Sequence, residues 1–203
     1  MMEKLLALTF DDGPSPDSMP EILTLLVQYD AKATFFLWGE KICSDTIPIL
    51  RQAVAQGHEL ANHSVHHLHM SSLSDEEIRA ETEPLQQLLR QLFGTAPVLF
   101  RPPYLDISPA MQQQIPLPFI MGADIRDWTS ETDADQRLRM ARDSAKDGAI
   151  LLMHCFEGNY PTVQMLRSLL PWLAREGYRC VTVSELFARK GCIPQKGRLY
   201  SDV

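Results

Sequence analysis

Short apolar runs alternate with amphipathic stretches along the whole chain, and this alternation restricts its fold more than any other feature. Runs at 5–10, 33–37, 59–61, 98–100, 119–122, 150–153 and 179–183 read as strands. Between several of them apolar residues recur at helical spacing. Examples are Ile22, Leu25, Leu26 and Tyr29; Ile49, Leu50, Ala53 and Val54; and Val163, Leu166, Leu169, Leu170 and Leu173. A helix that follows a strand must bury its apolar stripe on a sheet, so the pattern predicts βα units and a parallel sheet. About seven strands fit an α/β fold, either a (β/α) barrel or a doubly wound sheet, and periodicity does not choose between them. Both place chemistry at the C-terminal ends of the strands.

Local signals refine this picture. Ser74-Asp-Glu-Glu77 is a capping box that starts a helix, and Gly94 is its expected stop. Pro84, in the middle, predicts a kink or a split there. The stretch 190–203 carries Gly191, Pro194 and Gly197 without helical period and is expected to wrap over the surface. No repeat, linker or low-complexity tract interrupts the 203 residues, so one domain over 1–203 is expected.

Charge and composition exclude some functions. A net charge of −7 disfavours nucleic acid and makes neutral glycans more welcome than anionic ones. No apolar run is long enough to span a bilayer. Met1-Met2-Glu3-Lys4 leads directly into the first strand with no secretory leader, which predicts a cytoplasmic protein. A secreted or cell-envelope protein is expected instead if a leader and linker precede this segment. Cys43, Cys155, Cys180 and Cys192 form no C-x-x-C pair, and reduced thiols are expected. Nothing specifies an oligomeric state.

Five clusters sit at or near strand ends. In Thr9-Phe10-Asp11-Asp12-Gly13-Pro14 a strand runs into two carboxylates, one able to bind a metal and the other to act as a base. A solvated Asp-Gly turn has the same composition. His63-Ser64-Val65-His66-His67 offers i, i+4 histidines that can share one face of a helical turn, with His63-x-x-His66 also usable spacing. Five of the six histidines lie between 58 and 69, against the alternative of a polar loop. An aspartate with two histidines leaves coordination positions open for water and substrate. Arg101-Pro102-Pro103-Tyr104, Asp124-Ile-Arg-Asp127-Trp128 and Leu152-Met-His154 are ordinary one by one. Arg101 can pair with a carboxylate, and His154 gains meaning only from its company.

Taken in order, TFDDGP, HSxxH, RPPY, DW and LxH resemble the five motifs of carbohydrate esterase family 4, the NodB-homology polysaccharide deacetylases. The resemblance implies a distorted (β/α) barrel. It implies Asp12, His63 and His67 as metal ligands, with Zn expected and Co, Ni, Mn or Fe compatible with the same donors. Asp11 is then the base acting on metal-activated water, and Arg101 pairs with it. Tyr104 supplies a backbone N–H to the oxyanion, His154 is the catalytic acid and Asp127 orients it. Trp128, Leu152 and Pro103 belong to the substrate pocket, around an acetyl methyl group.

The implied activity is metal-dependent hydrolysis of N-acetyl or O-acetyl groups on carbohydrates such as chitooligosaccharide, peptidoglycan or acetylxylan. Hydrolysis of small non-sugar amides and an inactive glycan-binding homologue are the alternatives. The chain departs from the family at Leu105, where Gly is usual, and at Cys155, where Asp is frequent. Both departures bear on the shape of the substrate groove.

Overall fold

The computed structural model describes residues 3–203. Its central strand is β1 (Lys4–Gly13), buried along nearly its whole length. A strand covered on both faces reads as a continuous apolar run, which is why residues 5–10 show no polar alternation. On one side β1 pairs in parallel with β6 (Ala149–His154), from Leu6↔Ala149 to Asp11↔His154. On the other it pairs first with β7 (Tyr178–Cys180) through residues 4–6, then with β2 (Ala33–Leu37) through residues 8–13. Beyond β2 lies β3 (Glu59–Asn62), and beyond β6 lies β5 (Ala123–Asp124).

A second pair, β4 (Phe119–Ile120) and β8 (Leu199–Tyr200), is also parallel. Single bridges Asn62↔Phe100 and Phe100↔Phe119 carry the sheet from β3 to β4. The left-handed Gly122 (φ 83°) turns the chain from β4 into β5. The circuit thereby closes as a distorted (β/α) barrel, with helices outside it.

Those helices are α1 (Ser18–Gln28), α2 (Ile47–Ala55), α3 (Asp75–Phe93), α4 (Pro109–Gln114), α5 (Ala134–Ser144), α6 (Tyr160–Arg175) and α7 (Val183–Arg189). The two-residue period of β1 divides its side chains between two cores. Leu6, Leu8 and Phe10 pack with Ile22, Leu26, Leu166 and Leu170 of the helices. Leu5 and Ala7 pack across the barrel with Phe36, Ala61, Ile120 and Ile150. The same period sends Thr9 and Asp11 toward the barrel interior.

Several expectations shift. The 98–100 run is no strand: only Phe100 bridges, while Val98 is exposed. The 119–122 strand is cut to two residues by the Gly122 turn. The 179–183 strand ends at Cys180, because the Thr182 side chain caps α7 by accepting from Glu185 N–H. The C-terminal stretch contributes β8 and closes on Gly148 through the Val203 N–H, in addition to covering the surface. Helix α3 starts at its capping box and stops at Gly94 (φ 80°), yet Pro84 does not split it. Just before Pro84 the Glu81 and Thr82 carbonyls accept bonds from outside the helix, from Val65 N–H and Asn62 Nδ2 (both 2.9 Å). The four cysteines are free thiols, and no described helix is long and apolar enough to cross a membrane.

Candidate active site

The two adjacent carboxylates reach one cavity because β1 is irregular at its end. In a regular strand, neighbours point to opposite faces. Here the pairing with β2 jumps from Phe10↔Phe35 to Gly13↔Leu37, a bulge of one residue, and Asp12 adopts φ 65°. Asp11 therefore keeps its inward direction while Asp12 is swung back to the same opening. Both line a cavity of about 370 Å³ with His63, His67, Tyr104, Leu105, Asp124, Trp128, Leu152 and His154.

His63 and His67 come together in a loop after β3, not on a helical face. Ser64 (φ 69°) and His67 (φ 57°) are left-handed, and that double reversal replaces the helical turn expected from the spacing. Backbone contacts hold the loop on two sides. Gly39 N–H donates to Ser64 O (2.9 Å) and Glu40 N–H to Val65 O (3.0 Å). Trp38 N–H donates to Gly13 O, Lys41 Nζ donates to Asp12 O (2.9 Å), and the Trp38 ring stacks on His67. The Trp38–Lys41 segment thus spans the carboxylate and histidine loops. From α3, Glu81 accepts from His66 N–H (2.9 Å) and His66 Nδ1 (2.5 Å), turning His66 away, so that His67 faces Asp12.

These residues fit a metal ion. Single ligand atoms of Asp12, His63 and His67 all lie within 4.8 Å of one another. The Arg101 carbonyl can only accept, so His63 Nδ1 carries the hydrogen of their 2.7 Å bond and Nε2 is left with a lone pair. That lone pair faces Asp12 Oδ1 at 3.5 Å, with His67 Nε2 at 3.0 Å from the same oxygen. Asp12 Oδ1 is buried without a hydrogen-bond partner. Electron-rich atoms converging in a buried space are stabilised by a cation between them. Burial raises the Asp12 carboxyl pKa, but hydrogen bonds and charge from His63 and His67, when their Nε2 atoms carry protons, outweigh it and hold the group well below the usual carboxylate range. A cation in the same space would take the place of those protons.

Arg101 is fully buried, its guanidinium over the Phe36 ring. Its Nη1 donates to Asp11 Oδ1 (2.6 Å) and Thr9 Oγ1 (2.8 Å), and Nε donates to Ile120 O. Opposite Asp11 in the β1–β6 register stands His154. Its Nδ1 donates to Asp127 Oδ1 (2.6 Å) and its backbone N–H to Asp127 Oδ2 (2.9 Å), leaving Nε2 for the cavity. Burial pulls the His154 pKa down, but the Asp127 hydrogen bond and charge, with Asp11 and Asp12 nearby, raise it to about 9.

The RPPY segment forms a short turn in which Tyr104 (φ 57°) and Leu105 (φ 54°) are both left-handed. Pro102 lines the cavity; Pro103, expected there, is buried in the turn instead. Arg101 and Asp127 stand behind the cavity wall. Tyr104 and Trp128 are more than half exposed at its rim, and Trp128 Nε1 donates to Asp124 Oδ2 (3.1 Å). No motif points to Trp38, Lys41, Glu81, Arg137, Asn159 or Thr162. All six lie outside the motifs, and the burial that singles out Glu81 and Arg137 as charged residues is visible only in the structure.

Known proteins resemble this chain in sequence and in fold. The sequence pattern of the polysaccharide deacetylase family matches residues 1–116. The chain is 42% identical over 202 residues to a bifunctional xylanase/deacetylase of Pseudobutyrivibrio xylanivorans, covering 99% of this chain and 33% of that protein. It thus spans about a third of that relative's length. It is 36% identical over 196 residues to a peptidoglycan-N-acetylglucosamine deacetylase of Bacillus cereus, covering 93% of this chain and 90% of the other. A family 4 acetyl xylan esterase from Clostridium thermocellum, in complex with a cobalt ion, superposes with a TM-score of 0.95 at 36% identity, covering 98% of this chain and 99% of that one. With the family pattern over more than half its length and the family fold over nearly all of it, this chain belongs to the polysaccharide deacetylases of carbohydrate esterase family 4.

Proposed function

We propose that residues 1–203 act as one catalytic domain that hydrolyses acetyl groups on a carbohydrate with a divalent metal held by Asp12, His63 and His67. The observation that carries this reading is the convergence of His63 Nε2 and His67 Nε2 on the orphaned Asp12 Oδ1, with Asp11 and His154 paired across the adjacent strands. Held there, a divalent cation supplies Lewis acidity, which makes a water more acidic and a carbonyl more electrophilic. Zn suits one carboxylate and two imidazoles, and Co, Ni, Mn and Fe suit them as well.

The protein groups then have distinct tasks. Asp11, fixed by Arg101, takes the proton of the attacking water. The Tyr104 backbone N–H faces the oxygen that gains charge. His154 gives a proton to the departing amine or alcohol, with Asp127 holding its ring. Leu152 and Trp128 enclose the acetyl methyl group, and the exposed faces of Tyr104 and Trp128 offer apolar surface to a sugar ring. Acetylated xylan is the first substrate to try, since two of the similar proteins are a xylanase/deacetylase and an acetyl xylan esterase.

The test is acetate release from acetylated xylooligosaccharides, a peptidoglycan fragment and chitooligosaccharides. It is run after chelation and again after adding Zn or Co. Activity lost with the metal and restored by it on at least one glycan is expected. Metal-loaded protein that releases no acetate from any of them would overturn the reading in favour of small amides or binding alone.

A further inference from the structure

Behind the acid pair lies a buried cation that the reaction described above does not use. Arg137, on α5, is only 3% exposed. Its guanidinium makes four hydrogen bonds, every one to a neutral oxygen. Nε donates to Thr132 Oγ1 (3.1 Å), Nη2 to Thr129 O (3.0 Å), and Nη1 to both Asn159 Oδ1 (2.7 Å) and Thr162 Oγ1 (2.9 Å). A buried cation needs a compensating anion. The one that the network reaches is Asp127, through two intermediaries: Thr162 Oγ1 is 2.7 Å and Asn159 Nδ2 is 3.4 Å from Asp127 Oδ2.

The direction of each bond is forced. Arginine has donors and no acceptor, so Arg137 occupies a lone pair of the Thr162 hydroxyl. The single Thr162 hydrogen is then left for Asp127. By the same logic Asn159 must turn Oδ1 toward Arg137, which aims Nδ2 at Asp127 and at the His154 carbonyl (2.9 Å). Asp127 Oδ2 is thereby held by Thr162, Asn159 and the His154 N–H, and Oδ1 is presented to His154 Nδ1.

We propose that Arg137 is a positioning residue for the proton donor, acting through Thr162 and Asn159 to orient Asp127 and so to aim the His154 ring. This rests on the reading of His154 as the acid. The same guanidinium holds the Thr129 carbonyl and the Thr132 hydroxyl, so it also ties the loop carrying Asp127 and Trp128 to α5 and α6.

The experiment compares two substrates on the Zn-loaded enzyme: an acetylated xylooligosaccharide, whose alcohol needs a proton to depart, and 4-nitrophenyl acetate, whose phenol leaves as a stable anion. Thr162→Val preserves shape and removes the hydroxyl. It is expected to lower kcat on the sugar ester by roughly 10- to 100-fold, part of what general acid catalysis supplies, with 4-nitrophenyl acetate turnover within about twofold of wild type. Thr162→Ser restores the sugar activity. Arg137→Lys keeps the charge, loses the planar fork and shows the same split. Equal loss on both substrates, or loss on neither, in Thr162→Val would overturn the proposal. His154→Ala separates the two levels: full activity of that variant on the sugar ester removes the acid assignment itself, whereas a large loss there beside an unaffected Thr162→Val removes only the role of Arg137.

Discussion

The two halves of the cavity hold their reactive groups by different means. On the metal side the positions are set by main chain. Asp12, Ser64 and His67 are left-handed, and bonds from Trp38, Gly39 and Glu40 to carbonyls of the two loops fix the spacing. On the acid side His154 ends a regular strand, and its aim is set by side chains, from Asp127 back through Thr162 and Asn159 to Arg137. The difference follows from the chemistry. Ligand atoms must meet an ion within a few tenths of an ångström, and rigid backbone delivers that tolerance. A proton donor needs a fixed direction and tautomer, which a hydrogen-bonded carboxylate supplies.

The sharpest way to break this comparison is at Asp11, the one group that belongs to both halves. It adjoins Asp12 in sequence and faces His154 across the sheet. Asp11→Asn keeps the shape and removes the base. Turnover is expected to fall by about 10³-fold, within the range for lost general-base catalysis, with a full complement of bound metal. Metal analysis beside the rate decides it: a variant that also loses its ion would show that the two aspartates act as one ligand unit.

The next largest effect tests whether backbone sets the ligand spacing. A Cβ on Gly39 would lie 2.9 Å from Val65 Cα and 3.4 Å from Val65 O, both main-chain atoms that yield little. Gly39→Ala is expected to push the histidine loop away from Asp12 and weaken metal binding roughly 10- to 100-fold, the usual size for lost ligand support. A chelator-competition titration measures this. Wild-type affinity would mean that the histidine loop tolerates displacement.

A milder test uses two histidines with opposite surroundings, His58 buried and His154 half-buried at the cavity. His58 Nδ1 accepts from the Ala33 N–H, and burial, with Lys32 nearby, lowers its pKa to about 4. His154 faces a carboxylate and is raised to about 9. The linkage signs are opposite. The contribution of His154 to stability is complete below the unfolded-state value of about 6.5 and is lost as pH rises through about 9. His58 destabilises the fold as pH falls from about 6.5 toward 4, because the unfolded chain takes up the proton first. Ring-proton NMR of the metal-free protein should show both midpoints, and Asp127→Asn should move only the His154 midpoint, downward. A common midpoint near the ordinary histidine value would show that the Asp127 contact does not set the charge.

What could be read from sequence follows the same division. Strand 150–153 is legible because burial on both faces leaves an unbroken apolar run, 33–37 because only Thr34 interrupts one, and α3 because Ser74 and Gly94 mark its ends. The reactive residues stand in short contiguous motifs, so their types and order are visible. Their geometry is not. Nothing in Asp11-Asp12 announces a bulge, and i, i+4 spacing in 63–67 suggests a helical turn where two left-handed residues make a loop. The supports are hidden for another reason. Lys41, Glu81, Arg137 and Thr162 act from distant elements, and each would pass for an ordinary surface or helix residue until the fold brings it behind the site.

Leu105 presents the smallest effect and the finest test of strain on the metal side. A leucine at φ 54° costs about 1–2 kcal/mol relative to a right-handed conformation, a penalty that glycine escapes. Glycine loses more chain entropy on folding, by roughly 0.5–1 kcal/mol, so Leu105→Gly is expected to leave stability unchanged or raise it by up to about 1.5 kcal/mol. The side chain lines the cavity beside Tyr104, so its removal should raise KM for the glycan ester several-fold while kcat stays close to wild type. That combination identifies Leu105 as strain retained for the shape of the cleft, consistent with strained residues clustering at ligand sites. A loss of more than about 1 kcal/mol with unchanged KM would assign the leucine to packing, and would leave the left-handed turn at 104–105 serving only to aim the Tyr104 backbone.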